Sequence, residues 1–143
     1  MKNVAQILDR KGKNVISVDP ECHVLDALKI MAEKNIGSIA VLKNGEYCGL
    51  MTERDYARKI ILRGKTSAET KVEDIMSTDL PKINPKDNID HCMVLMSDAN
   101  IRYLPVFEND RLCGIISIND LVKETILEQR NTIEQLHNYI RSS

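Results

Sequence analysis

The chain repeats itself. Shifted by 65 residues, Val15–Ile60 lies over Leu80–Thr125 without a gap. Nine of the 46 aligned positions are identical: Pro20/Pro85, Met31/Met96, Asn35/Asn100, Ile36/Ile101, Val41/Val106, Asn44/Asn109, Cys48/Cys113, Gly49/Gly114 and Asp55/Asp120. Most other positions exchange like for like, as in Val18/Ile83, Leu28/Met93, Leu50/Ile115 and Thr52/Ser117. Upstream, VAQIL (Val4–Leu8) resembles VEDIM (Val72–Met76) at an offset of 68, so the first copy carries three extra residues between Leu8 and Val15. Duplication on this scale restricts the fold to two like units. One unit of 46 residues is too small to bury an adequate core by itself. Two can pack their sheets together about an approximate two-fold axis, and two similar clefts then follow.

Each copy reads as β-α-β-β-α, an α/β (α+β) arrangement. A short strand ends at Pro20 or Pro85, residues that cannot extend a ladder and suit a helix's first turn. Val24, Leu28 and Met31 then fall on one helical stripe, as do Ile89, Met93 and Met96. Asn35 and Asn100 are placed to end these helices in left-handed geometry. A strand, a two-residue turn and a second strand follow, with Asn44-Gly45 a strong type I′ signal and Asn109-Asp110 a weaker one. The divisions expected are 1–66 for the first repeat with an N-terminal helix, 67–126 for the second, and 127–143 for the continuation of a long C-terminal helix.

Composition removes several function classes. Formal charge is −1, without the concentrated basic face that nucleic acid requires. Trp is absent and Phe occurs once, which leaves no aromatic platform for stacking bases. Apolar runs are too short to cross a bilayer, and the N-terminus lacks the apolar centre of a signal peptide, so the expected location is cytoplasmic. Cys22, Cys48, Cys92 and Cys113 form no CxxC pair and read as buried, reduced, small hydrophobes. His23, His91 and His137 complete neither a zinc set nor a catalytic triad, so neither a metal nor an enzyme is expected. Gly64-Lys65-Thr66 lacks the earlier glycine of a phosphate loop and follows a helix, which makes it an exposed linker.

The chemistry concentrates in Gly49–Asp55 (GLMTERD) and Gly114–Asp120 (GIISIND), where a strand runs into a hydroxyl-x-x-Asp helix start. One explanation is a capping box, in which hydroxyl and carboxylate satisfy the first turn's N–H groups and stabilise the helix by ~1 kcal/mol. Another is a ligand site at the mouth of a sheet. There a helix N-terminus attracts anions, and a short acid suits the two vicinal hydroxyls of a ribose. Geometry permits both together.

These features resemble a tandem pair of CBS domains, named for cystathionine β-synthase, over nearly the full chain. The resemblance is carried by the duplicated pattern, by VLKNGEYCGLMTERDYARKI and by IRYLPVFENDRLCGIISINDLV. It is strongest toward small stand-alone bacterial CBS pairs and their plant mitochondrial relatives, which share TERDY-x-RK and a trailing Tyr-Ile, here Tyr139-Ile140. The resemblance implies a non-catalytic regulatory module that takes AMP, ADP, ATP, S-adenosylmethionine or NAD(H) in its clefts. Carried over, Asp55 and Asp120 hold ribose hydroxyls, and Thr52 and Ser117 face phosphate. Arg54 adds charge where the second copy has Asn119, so the Thr52 cleft is expected to take the more anionic ligand. Adenine is expected between Ile39 or Leu104 and the strand edges Ser17-Val18 and Lys82-Ile83. Arg102 either reaches across to a phosphate in the opposite cleft or pairs at the strand edge with Asp98 or Glu108. Tyr103 departs from the common His of the family pattern, which puts an inherited second-cleft contact in question. The first copy has Gly37-Ser38 aligned with Arg102-Tyr103, which leaves room for a ligand or for the other repeat.

The segment Asn119–Arg141 contains neither Gly nor Pro and reads as one helix. Val122, Ile126, Gln129, Ile133, Leu136 and Ile140 are spaced as a heptad seam with a polar residue at its middle. The seam either covers the chain's own core or joins a homodimer, and the resemblance favours the dimer. The leading expectation is an adenine-nucleotide sensor acting on an unidentified regulated protein, without nucleic acid or membrane. Its rivals are a ligand-free structural or protein-interaction module and a nucleotide hydrolase.

Overall fold

The computed structural model describes residues 2–12 and 14–142. Its elements run α1 (Val4–Lys11), β1 (Ser17–Val18), α2 (Val24–Lys34), β2 (Ser38–Lys43), β3 (Glu46–Thr52), α3 (Glu53–Tyr56), α4 (Ile89–Ala99), β4 (Tyr103–Glu108), β5 (Arg111–Ser117) and α5 (Ile118–Ser142). A π-helical turn, Ala57–Ile61, prolongs α3, and a single 3₁₀ turn, Val72–Asp74, precedes the second repeat. In the first sheet β1 pairs parallel to β2 and β2 antiparallel to β3. In the second, β4 pairs antiparallel to β5, and the first strand shrinks to a single parallel bridge, Ile83 to Val106. Its shortness has a cause. Ala40 donates to the Ile16 carbonyl in the first repeat, but the aligned residue in the second is Pro105, which has no N–H to give.

Both hairpins turn as their residues dictate. Asn44 and Gly45 have φ of 51° and 81°, and Asn109 and Asp110 have 53° and 64°. These positive pairs match the right-handed twist of the flanking strands. Each hairpin also carries a bulge at the same place, with Cys48 and Cys113 as the inserted residues. Asn35 and Asn100 end α2 and α4 in left-handed geometry, as expected. The prolines do otherwise. Pro20 and Pro85 sit inside turns closed by Cys22 N–H on the Asp19 carbonyl and Asp87 N–H on the Asn84 carbonyl. Both lie four residues before a helix begins, because a fixed φ serves the turn's second position equally well.

The leading segment of each repeat packs in the other repeat's core. Val4, Ile7 and Leu8 of α1 join Ile89, Leu104 and Ile116 of the second repeat, while Val72 and Ile75 join Val24, Ile39 and Met51 of the first. Backbone bonds repeat the exchange on both sides. Val4 and Ala5 donate to the carbonyls of Asp87 and Pro85, and Val72 and Glu73 donate to those of Cys22 and Pro20. The approximate two-fold axis is visible in these matched pairs. It also explains the two motif glycines. A Cβ at Gly49 would stand 2.7 Å from the Ser77 carbonyl oxygen, and one at Gly114 would stand 2.5 Å from Leu8 Cδ2. Each glycine lets the other repeat's leading segment cross its strand.

Of the cysteines, only Cys92 is buried; Cys22, Cys48 and Cys113 are half-buried, and none of the four forms a disulfide among the described residues. The expectation of four buried cysteines is thereby corrected: Cys48 and Cys113 are bulged residues, which do not face the core squarely, and Cys22 sits in the turn before α2.

Candidate functional site

Both hydroxyl-x-x-Asp motifs form capping boxes. Thr52 N–H donates to Asp55 Oδ2 at 3.0 Å and Asp55 N–H to Thr52 Oγ1 at 3.1 Å. Likewise Ser117 N–H donates to Asp120 Oδ2 at 2.8 Å and Asp120 N–H to Ser117 Oγ at 3.1 Å. In front of each box lies a cavity made by both repeats. The Ser117 cleft, about 410 Å³, places Ser117, Asn119 and Asp120 opposite Val15, Ile16 and Ile36, with Lys11 and Lys123 at its rim. The Thr52 cleft, about 350 Å³, places Thr52, Arg54 and Asp55 opposite Leu80, Ile101, Arg102 and Tyr103. Both volumes fall in the roughly 300–1,000 Å³ range of small-molecule sites.

Several site residues lie elsewhere than expected. Ile39, Leu104, Val18 and Ile83 are buried in the two cores, and neither cleft's lining includes them. Ser17 is exposed on β1, outside both linings. Lys82 places its ammonium 4.7 Å from the Phe107 ring centre and 5.8 Å from that of Tyr47, in a different cavity beside the two hairpin turns. The strand edges do reach the clefts, but two or three residues earlier, through Val15, Ile16 and Leu80. The apolar wall is Ile36 and Ile101, from the helix–strand connections. Their identity across the repeat was the available signal.

Arg102 crosses to the other repeat's cleft and makes no ion pair with Asp98 or Glu108 among the described residues. Tyr103 lines both clefts and fills the space beside Gly37, where any Cβ would overlap its hydroxyl. Burial, with the Glu53 carboxylate adding to it, pushes the Tyr103 hydroxyl above its usual pKa. The room left by Gly37 is thus taken by the other repeat.

The two acids differ in what they have left to offer. Asp55 is 5% exposed. Besides Thr52 N–H, it accepts from Thr52 Oγ1 at 3.0 Å, from Ser77 Oγ at 2.8 Å and from Lys59 Nζ at 3.0 Å. A carboxylate has about four lone-pair sites, so Asp55 is full. Asp120 accepts from Ser117 N–H and from Lys11 Nζ, both at 2.8 Å and both on Oδ2. Its Oδ1 accepts no hydrogen bond among the described residues, and the Ser117 hydroxyl proton is likewise uncommitted. Arg54, meanwhile, is bonded to the Asn100 carbonyl. Ser77 and Lys11, which help decide this contrast, lie outside the aligned motif, and Lys59, inside TERDY-x-RK, was not read as a partner of Asp55; all three roles were missed in the sequence.

The CBS domain pattern matches residues 4–62 and again residues 72–126. The chain belongs to the CBS domain family. This CBS pair is 35% identical over 147 aligned positions to the mitochondrial CBS domain-containing protein CBSX3 of Arabidopsis thaliana, covering 96% of this chain and 71% of that one. A solved CBS-domain protein from Burkholderia ambifaria is 42% identical with a TM-score of 0.85, covering 90% of this chain and 96% of that one. The CBS domain pair of protein MJ0100, solved with 5′-methylthioadenosine and S-adenosyl-L-methionine, is 25% identical with a TM-score of 0.76, covering 87% and 99%. Among the described residues of this CBS pair, no helix is long and apolar enough to cross a membrane.

Proposed function

We propose that this CBS pair is a non-catalytic regulatory module that binds an adenosine-containing ligand, AMP, ADP, ATP or NAD(H), in the Ser117 cleft. The observation that carries this reading is the unspent capacity there. Asp120 Oδ1 can accept from a ribose hydroxyl and Ser117 Oγ can donate to a phosphate, beside an apolar wall of Val15, Ile16 and Ile36. The N-terminus of the 25-residue α5 favours an anion at the same spot. The ligand class follows the adenosine compounds solved with the MJ0100 pair. Four cysteines without a disulfide among the described residues suit a reducing compartment such as the cytosol. The output is an altered contact with a regulated protein, driven by a ligand that binds two arrangements of the repeats unequally.

Thermal shift with AMP, ADP, ATP, NAD(H) and S-adenosylmethionine tests the reading, because a ligand selective for the folded state raises the melting temperature. Calorimetry then separates the clefts. Asp120→Ala should weaken binding by about 1.5–3 kcal/mol, the worth of a hydrogen bond to a charged group. Unchanged affinity in that variant rules the cleft out. The saturation of Asp55 favours a second reading for the Thr52 cleft: it is structural, a capping box with its own cation. A protein showing no thermal shift with any of these ligands is an interaction module in both halves.

A further inference from the structure

We infer that Lys11, a residue of α1 outside both repeat motifs, makes the Ser117 cleft selective for a phosphorylated ligand over its unphosphorylated nucleoside; this rests on the ligand reading above. A charge difference between the repeats forces the arrangement. In the first repeat Asp55 is answered within its own helical stretch, four residues on, by Lys59. The aligned position in the second repeat holds Glu124, so Asp120 and Glu124 put two like charges one turn apart on α5. Such a pair is unfavourable on a helix unless cations come from elsewhere.

They come from α1. Lys11 pairs with Asp120, and Arg10 pairs with Glu124, whose side chain is only 2% exposed and whose Oε2 finds no hydrogen-bond donor. The C-terminal turn of α1 is therefore held over the Ser117 cleft by two adjacent ion pairs. At the offset of 68 that aligns the two leading segments, Lys11 falls on Asp79, so the cation of the Thr52 cleft's aspartate comes from Lys59 of its own repeat and not from the other repeat's leading segment.

The ammonium of Lys11 is only partly spent. It donates to Asp120 Oδ2 at 2.8 Å and to the Ile115 carbonyl at 2.9 Å, which uses two of its three N–H groups. It remains 40% exposed on the lining of the cavity. Lys11 and Asp120 thus present one donor and one acceptor side by side, the pattern a sugar phosphate complements. A nucleoside meets the acceptor alone and leaves the donor without an anion.

The experiment is calorimetry on the full chain with two probes, AMP and adenosine. Wild-type protein should prefer AMP. Lys11→Met should lose on the order of ten- to a hundred-fold in AMP affinity with adenosine affinity unchanged, and Lys11→Arg should restore most of it. Lys123→Met, which removes a cavity lysine that makes no bond to Asp120, should cost distinctly less. Equal loss for both lysine variants would make general positive charge the cause and overturn the inference. Undiminished AMP affinity in Lys11→Met, or parallel loss of AMP and adenosine, overturns it as well. If wild-type protein binds adenosine and AMP equally, selectivity is absent while the ligand site stands; if it binds neither, the ligand reading falls and this inference with it.

Discussion

Asp55 and Asp120 occupy equivalent positions, yet their neighbours give them different work. Removing Asp55 strands Ser77, Lys59 and the cap N–H together, so Asp55→Ala should lower stability by about 1–3 kcal/mol, read by urea denaturation, while leaving ligand affinity nearly unchanged. Cys92 offers a second test. Burial, helped by the nearby Asp87 charge, pushes its thiol up to about 11 from 9.0. The folded state prefers the neutral thiol. Its contribution to stability is whole below pH 9 and is lost as pH rises toward about 11. Iodoacetamide labelling followed by peptide mass should find Cys92 the slowest of the four thiols to react, accelerating across that window. The aspartates, their caps and their strand-to-helix setting were legible in the sequence because hydroxyl-x-x-Asp is a local code. Of the partners that separate one aspartate from the other, only Lys59, four residues on, left a local trace. Ser77 and Lys11 approach across 22 and 109 residues of chain, where no short pattern records the meeting.

Among the elements, α5 departs most from the repeat. Its early turns bury Leu121 and Glu124, and beyond them Ile133, Leu136 and Ile140 are 54–68% exposed. The alternative in which this helix folds back over its own core is excluded by that exposure. We propose that a second copy of the chain covers the heptad face. Ile133→Asp should then lower the sedimenting mass toward one chain without altering the monomer's helix content by much; a mass already equal to one chain in the parent protein removes the proposal. The amphipathic stripes of α2 and α4 were read nearly correctly, but the buried line runs through Ala27 and Cys92, with Leu28 and Met93 only half-buried. A 3.6-residue period fixes a stripe's width better than its centre. The loss of the second repeat's first strand could be read only by noticing that Pro105 stands where a donor is needed.

At the level of the molecule, each core is completed by the other repeat's leading segment. Gly49→Ala should cost more than Gly114→Ala, by about 1–3 kcal/mol against a smaller loss, since Ser77 presents a hydrogen-bonded backbone carbonyl where Leu8 presents a side chain that can turn. Thermal unfolding of the two variants decides it. Heat should melt the parent protein in one transition, with calorimetric and van't Hoff enthalpies equal, because neither sheet has a complete core of its own. The same interlock governs how the chain comes off the ribosome. Residues 1–66 must wait, with α2 and its hairpin unsealed, until Val72 and Ile75 emerge, and α1 must wait longer still for α4 and β5. Cut in the connector, the protein yields two fragments that are each a lock without its key, and only mixing them should recover a folded particle.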